Sequence, residues 1–520
     1  MGDAADDARE REELAFIGES YWPGLYDDPI SRGQKMGEIA ENRIGKIINN
    51  AANLKNIPIP RLKIVKVKIL DPVYSQVFGE DIRVVKNCLQ YEHEYWLQGQ
   101  YRKERHVTTK FMIDKKGIFL TGFIPRLKEF GDKNNFLIQV DDPVWADTII
   151  KPKGDPKVGN IVFRNDQLIL FNKAFNHARG VLLAPPGIGK TIISIAIISV
   201  LEANKYKTLF LCNEKTLFYQ TIKELRDNSF DPAIIGDGRK DPYAPITVAM
   251  IQTFAKENPE DYGYYFDGVI IDETDIGMEL GGQYHKVLSN MIAFYRYGVS
   301  ATLPPKPYGK LCLEGLIGPV IGQMPIEEGI ELGLLAKPKI TIVRSKLDFD
   351  LKDVRNYDEV YQKGIVHNRS RNRLILSTTD DRIQKGKTVL IFVSKIEHGK
   401  ILEGLANLFF GFYVPFIFGN VAGEERSRLK TKMQNKQVKC IIADDVWKRG
   451  INIPSLNVVI LAGCGKSWRD LEQKIGRGLR RDEGSEKTEV EIVDIFDPSN
   501  YHLVNHFGER ISFYCEKGWL

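Results

Sequence analysis

The sequence predicts an α/β protein of two tandem parallel-sheet lobes, preceded by a small N-terminal α+β accessory domain. Three observations predict it. The chain has 520 residues, too many for one hydrophobic core. From about residue 160, short β-branched runs alternate with helical stretches, as in a parallel sheet covered on both faces. That alternation starts afresh after "LLAKPKI", near residue 336.

Residues 1–35 join an acidic head, "MGDAADDAREREEL", to "SYWPGLYDDPISRGQK", rich in Pro, Gly and Asp. They read as a flexible tail carrying Tyr21, Trp22 and Tyr26. Residues 36–148 read as the small domain. In it, "RLKIVKVKIL" is a strand, "TKFMID" and "IFLTGF" are strands joined by a turn at Gly117, and "IPRLKEFGD" is a short helix closed by Gly131. Residues 149–160, "IIKPKGDPKVGN", have linker composition. Lobe one, 161–335, carries the strand candidates "GVLLAP", "KTLFLCN", "ITVAMI", "GVIIDE" and "RYGVSA". Lobe two, 336–520, carries "KTVLIFVS", "FYVPFIFG", "KCIIADD", "NVVILAG" and "EVEIVDI". A cleft between the lobes is expected.

Composition narrows the class. The longest apolar stretch, "TIISIAIISVLEA", is too short and too interrupted to span a bilayer, so no membrane partner is expected. The acidic opening lacks a secretory apolar core, which makes the cytoplasm the expected compartment. Six cysteines without CxxC spacing read as reduced thiols, and the eight histidines read as unclustered, against a metal held by side chains alone. Net charge is +5, and the first 14 residues hold six acids against two bases, so the remainder carries about +9. That bias permits a polyanion partner without requiring one.

"APPGIGKT" (184–191) follows a strand and opens a helix, the context that a phosphate-binding P-loop requires. Around Pro186 and Ile188, Gly187 and Gly189 let backbone N–H groups curl about a β-phosphate, and the helix N-terminus adds its dipole. Lys190 would reach the β- and γ-phosphates of ATP, and Thr191 would place its hydroxyl on Mg²⁺. "GVIIDETD" (268–275) is an apolar strand ending in carboxylates. There Asp272 can hold Mg²⁺, Glu273 can position the attacking water, and Asp275 would face the cleft. "QKIGRGLRR" (473–481) places Arg477 and Arg480 on one helix face, from which they could reach across the cleft as arginine fingers. Gly476 and Gly478 would permit close lobe approach.

These residues resemble the superfamily 2 helicases and translocases, which implies two RecA-like lobes. "FRNDQ" (163–167) is similar to the adenine-side motif, with Arg164 and Gln167; "APPGIGKT" and "DETD" are similar to motifs I and II. "SAT" (300–302) resembles motif III, whose Ser300 and Thr302 would couple nucleotide state to nucleic acid. "VSKIEHG" (393–399) resembles motif IV. "RGINIP" (449–454) resembles motif V, with Gly450 and Asn452 near the nucleotide, although Asp is more usual than Asn452. "QKIGRGLRR" resembles motif VI, in which Gln473 joins the two arginines. Thr274 stands where Ala or Cys is common in motif II.

A narrower resemblance is to the bacteriophage UvsW-type branch-migration helicases. "CLQYEHEYWLQGQYRKERHVTTKFMIDKKGIFLTGFIPRLKEF" is similar to their small N-terminal domain, and "DIFDPSNYHLVNHFGERISFYCEKG" to their ending. The resemblance implies ATP-dependent remodelling of branched DNA, with other replication or recombination proteins as further partners. The compartment would then be the host cytoplasm.

In such motors the strand lies across both lobes. Thr216, Gln220, Gly236 to Gly238, Gln252 and Thr253 in lobe one, and Ser394, Lys395 and Lys448 in lobe two, are the candidate phosphate contacts. The accessory domain adds Arg102, Lys103, Arg105, Lys110, Lys115 and Lys116, interleaved with Tyr91, Tyr95, Trp96 and Tyr101 on which bases could stack. An RNA helicase, a double-stranded DNA translocase, and a nucleic-acid-binding scaffold with a vestigial ATPase are the alternatives. The intact Lys190, Asp272 and Glu273 argue against the last. Since every nucleotide motif lies beyond 160, the two lobes are expected to fold without residues 1–147.

Overall fold

The computed structural model describes residues 63–98, 103–141, 156, 158–159, 161–275, 277–346, 348, 350–419, 421, 423–444, 453, 455–463, 475–476, 478–479, 481 and 487–520. The tail and most of the linker therefore lie outside the described residues.

Lobe one is an eight-stranded sheet. Its strands are β7 (Arg179–Leu183), β8 (Thr208–Cys212), β9 (Ala233–Gly236), β10 (Arg239–Lys240), β11 (Ile246–Met250), β12 (Gly268–Asp272), β13 (Tyr295–Ser300) and β14 (Val320–Gln323). They lie in the order β10-β9-β11-β8-β12-β13-β7-β14, parallel except for the β9–β10 hairpin. Every residue of β8, β11, β12 and β13 is buried, which is why β8, β11 and β12 read as near-continuous apolar runs, while β13 carries the buried Arg296. The helix Lys190–Ala203 is buried nearly all round, through Ile193, Ile195 to Ile198 and Leu201. Register aligns the strand ends: Leu183 lies opposite Ser300, and Asp272 opposite Val299. The P-loop, "DETD" and "SAT" therefore leave one rim of the sheet from three adjacent strands.

Lobe two is a parallel sheet of β15 (Lys337–Arg344), β16 (Val389–Phe392), β17 (Phe416–Ile417), β18 (Cys440–Ala443), β19 (Val458–Leu461) and β20 (Glu489–Phe496), in the order β15-β20-β19-β16-β18-β17. "FYVPFIFG" contributes only two paired residues, at the sheet edge. Both lobes have the RecA-like architecture.

The accessory domain holds a four-stranded sheet, in the order β5-β2-β1-β6, of β1 (Lys63–Ile69), β2 (Tyr74–Gln76), β5 (Ile118–Leu120) and β6 (Phe136–Asp141). A separate antiparallel ribbon pairs β3 (Gln90–Gln98) with β4 (Lys103–Phe111). The turn at Gly117 is present, in left-handed backbone (φ +77°). The helix does not close at Gly131: it runs Ile124–Lys133 and is capped at Asn134. Gly131 instead admits the return strand, since a Cβ there would lie 2.7 Å from the Phe136 carbonyl oxygen.

The expected separability of this domain finds no support in the packing. One apolar cluster runs from Val65, Phe119, Leu120, Phe123 and Leu127 into Val181, Leu209, Ile271, Leu313 and Leu316 of lobe one. Arg126 forms a bidentate pair with Glu314 (2.8 and 2.6 Å), and Arg179 donates to the Pro72 carbonyl at 2.8 Å. Gly122 lies so close that a Cβ would be 2.2 Å from the Glu314 carbonyl oxygen. Deleting residues 1–147 would uncover an apolar face of lobe one.

Candidate active site

The P-loop is shaped by two glycines in left-handed backbone, Gly187 (φ +100°) and Gly189 (φ +91°). Between them Ile188 is fully buried, which pins the loop to the core. Its carbonyl accepts from Arg164 Nη2 at 2.7 Å and from Gln167 Nε2 at 2.9 Å. Arg164 is itself fixed by a two-pronged pair with Asp166, and its backbone N–H donates to Gln167 Oε1. The "FRNDQ" segment is thus clasped onto the P-loop through one carbonyl. Lys190 Nζ lies 3.3 Å from the Ala184 carbonyl, and Thr191 is half-buried in the first turn of the following helix.

Asp272 ends β12 almost fully buried. Burial, with Glu273 beside it, pushes its carboxyl up to about 7, while Lys190 pulls the other way. Glu273 sits in left-handed backbone (φ +57°), its N–H shared between Asp272 Oδ1 (3.0 Å) and the Val299 carbonyl (2.9 Å). A non-glycine residue held there marks local strain. Asp275 is buried and accepts from the Thr302 hydroxyl at 3.3 Å, so "DETD" and "SAT" are joined directly. Ser300 is fully buried, its Oγ 3.4 Å from the Thr302 N–H. Thr274 fits because Gly298 faces it: a Cβ there would lie 2.8 Å from Thr274 Cγ2.

Lobe two meets this site at Gly476, where a Cβ would come within 3.2 Å of Pro186. Gly478 has a different role, packing against Val459 and Val490 inside its own lobe. Arg481 donates to the Gly333 carbonyl at 2.7 Å. Gln473, Arg477, Arg480, Lys448, Gly450, Asn452 and Arg102 lie outside the described residues, as do the side chains of Lys103, Arg105, Tyr95 and Trp96.

The other candidate contacts form a second group, on the same rim beyond β12. Thr216 and Gln220 are exposed on the helix after β8, and Gln220 donates to Glu224 at 2.7 Å. Gly238 faces open space in left-handed backbone. Gln252 is tied by its amide to the Asn213 carbonyl at 2.9 Å, and Thr253 is half-buried next to it. In lobe two the Ser394 hydroxyl donates to the Gly463 carbonyl, and exposed Lys395 immediately precedes the helix Ile396–Phe410. Beneath them Arg371, buried, pairs with Asp497 at 2.9 Å and donates to the Ala462 carbonyl at 2.7 Å.

In the accessory domain Lys110, Lys115 and Lys116 are exposed. Tyr91 is not available to bases: it is buried against Tyr308, ring centroids 4.9 Å apart. The histidines also need correcting. His502 and His506 stand four apart on the C-terminal helix, a metal-ligand spacing, but both pack on the Tyr357 ring. Among the described residues no group of three or more His, Cys, Asp or Glu could hold a metal ion.

The family model described as type III restriction enzyme, res subunit, matches residues 160–305, and that described as helicase conserved C-terminal domain matches 371–482. The chain thus carries, in tandem, the two domains of a superfamily 2 helicase. It is 24% identical over 352 residues to the DNA 3'-5' translocase XPB2 of Sulfurisphaera tokodaii, covering 61% of this chain and 77% of that one. It is 24% identical over 450 residues to the ATP-dependent DNA helicase uvsW of Enterobacteria phage T4, covering 78% and 88%. Among solved structures, a fragment of an HsdR subunit of a type I restriction enzyme from Vibrio vulnificus YJ016 superposes with a TM-score of 0.52 at 18% identity, over 78% of this chain and 73% of that one; this likeness is one of fold. This helicase is therefore an ATPase that acts on nucleic acid. No helix among its described residues is long and apolar enough to cross a membrane.

Sequence reasoning named the Gly236 to Gly238 turn but missed its two partners on the second part of the rim, Lys215 and Tyr219. Asp237 accepts hydrogen bonds from both Lys215 and Tyr219. The available signals were the "GDG" turn and the four-residue spacing of Lys215 and Tyr219 on a helix.

Proposed function

We propose that this helicase is an ATP-driven DNA motor that remodels branched DNA, by fork reversal, branch migration and displacement-loop unwinding. Arg164 and Gln167 take the adenine side, and the N–H groups of the loop from Pro186 to Gly189 take the β-phosphate. Lys190 neutralises the β- and γ-phosphates. Thr191 and Asp272 would hold Mg²⁺, which supplies charge neutralisation at the transferring phosphoryl group. Their chemistry suits it: a hydroxyl at a helix start, and a buried carboxylate whose ionised form gains most from a nearby cation. Glu273 orients the attacking water; its fixed backbone sets where the carboxylate points. Gln473, Arg477 and Arg480, with Gly450 and Asn452, complete the site from lobe two. Ser300 and Thr302, the latter tied to Asp275, transmit nucleotide state to the strand held by both lobes.

The observation that carries the branched-DNA reading is the continuous core between the accessory domain and lobe one. A duplex arm held by the basic ribbon would move with lobe one on every stroke, while the lobes grip the tracking strand. Charge reversal at Lys110, Lys115 and Lys116, together with Arg102, Lys103 and Arg105, tests it on matched forks, Holliday junctions, displacement loops, blunt duplexes and RNA–DNA hybrids. Remodelling of branched substrates should fall much further than ATPase stimulated by single strands, and junction binding should depend less on salt. Equal losses on all substrates would make the domain a general clamp.

A further inference from the structure

The helix Lys215–Asp227 leaves the C-terminal end of β8, beyond β12 from the P-loop. Its second turn presents Tyr219, 52% exposed, although the adjacent Phe218 is fully buried. The Tyr219 ring meets Phe218 edge-on, centroids 5.3 Å apart. Its hydroxyl donates to one oxygen of Asp237, and the Lys215 ammonium donates to the other. Asp237 (φ +52°) and Gly238 (φ +83°) are consecutive left-handed residues, and they make the tight turn of the β9–β10 hairpin. A Cβ on Gly238 would meet nothing within 4 Å. The hairpin tip therefore stands in the open beside a tyrosine held at its hydroxyl end.

We propose that Tyr219 is a stacking platform for one unpaired nucleobase of the bound strand, held in place by Asp237. An exposed tyrosine satisfies its hydroxyl with water and gains little from a carboxylate, so a fixed ring is an ordering cost that only a ligand returns. The charge balance separates a base from a phosphate. Lys215 and Asp237 cancel, so this corner attracts phosphate weakly, while an aromatic face accepts any base. Its place on the rim, next to Thr216, Gln220 and Gln252 and away from the nucleotide loops, suits a polymer that crosses the lobe. Lys215 and Asp237 are positioning residues: they act on the base through the ring.

The inference rests on the nucleic-acid reading of this rim, and two probes separate the two. Full-length protein is titrated with a short thymidine homo-oligomer and with an abasic oligomer of the same length. Tyr219→Ala should lose about tenfold to a hundredfold on the thymidine oligomer. It should lose little on the abasic one, with the salt dependence unchanged because no charge is removed. Tyr219→Phe should keep most of the affinity, and Asp237→Asn should fall between the two. Thermal melts within a few degrees of wild type show that the variants fold. Equal losses on both oligomers, or none on either, overturn the stacking role. Failure of the wild-type protein to bind either oligomer overturns the nucleic-acid reading and this inference with it.

Discussion

Replacing Gly189 by alanine tests whether the clasp on the P-loop is what holds it ready for nucleotide. At φ +91° the new side chain is strained, costing about 1–2 kcal/mol. Its Cβ would also lie 2.5 Å from Gln167 Nε2. The amide must then leave the Ile188 carbonyl that it now meets at 2.9 Å, which costs about 1 kcal/mol more. Together roughly 2–3 kcal/mol falls on the loop, or about thirtyfold to 150-fold weaker ATP binding. Titration with a fluorescent ATP analogue reads this directly. Gln167→Ala alone should weaken binding about fivefold, yet should cost almost nothing further in the Gly189→Ala background, where the amide is already displaced. Fully additive losses, or a Gly189→Ala variant within twofold of wild type, would refute the clasp.

Glu273→Gln should bind ATP and stall, seen as a loss of steady-state phosphate release with nucleotide affinity kept; wild-type turnover would require another base. Gly122→Ala should loosen the accessory domain, because its Cβ would strike the Glu314 carbonyl; a melting temperature equal to wild type would show that the junction yields. The same junction predicts that a chain lacking residues 1–147 aggregates, whereas separable lobes would stay soluble with ATPase intact. Burial, then Arg371 and His367, hold the His398 imidazole down to about 3, so the folded state keeps it neutral while the unfolded chain takes up a proton below 6.5. Stability from this group is complete above that value and drains away as pH falls toward 3, by at most about 1.4 kcal/mol per unit. Denaturant midpoints at decreasing pH should fall less steeply in His398→Gln, and identical slopes would remove His398 as the cause.

What was legible in the sequence follows from where the information lies along the chain. The parallel strands were readable because residues buried on both faces leave unbroken apolar runs, as in "GVIID" and "TLFLC". The P-loop was readable because its glycines and lysine act within eight consecutive residues. The junction of the accessory domain was not: Arg126 meets Glu314 and Pro72 meets Arg179 across more than a hundred residues, and no local pattern records such a pairing. Tyr91 looked like a base-stacking residue because aromatics beside basic residues carry that pattern whether or not a second ring covers them; only Tyr308 decides. Glycine misled in the same way. Gly131 and Gly478 serve close packing and Gly476 serves approach of the lobes, and residue type alone does not separate these uses.

The same distinction bears on how hydrolysis reaches the DNA. The nucleotide loops and the lobe-one candidate contacts share one rim of one sheet, and the two groups meet where the fully buried strands β12 and β8, which carry one group each, lie side by side. A close-packed sheet transmits displacement poorly by bending and well by moving as a body. Local change is then concentrated in the loops that hold two partners at once: Asp275 on Thr302, Pro186 against Gly476, and Asp237 between Lys215 and Tyr219. Under the proposed function the first two would answer to nucleotide and the third to the strand. Because the accessory domain shares the core of lobe one, it belongs to the same body, and under the proposed function its basic ribbon would deliver each stroke to a second arm of the DNA.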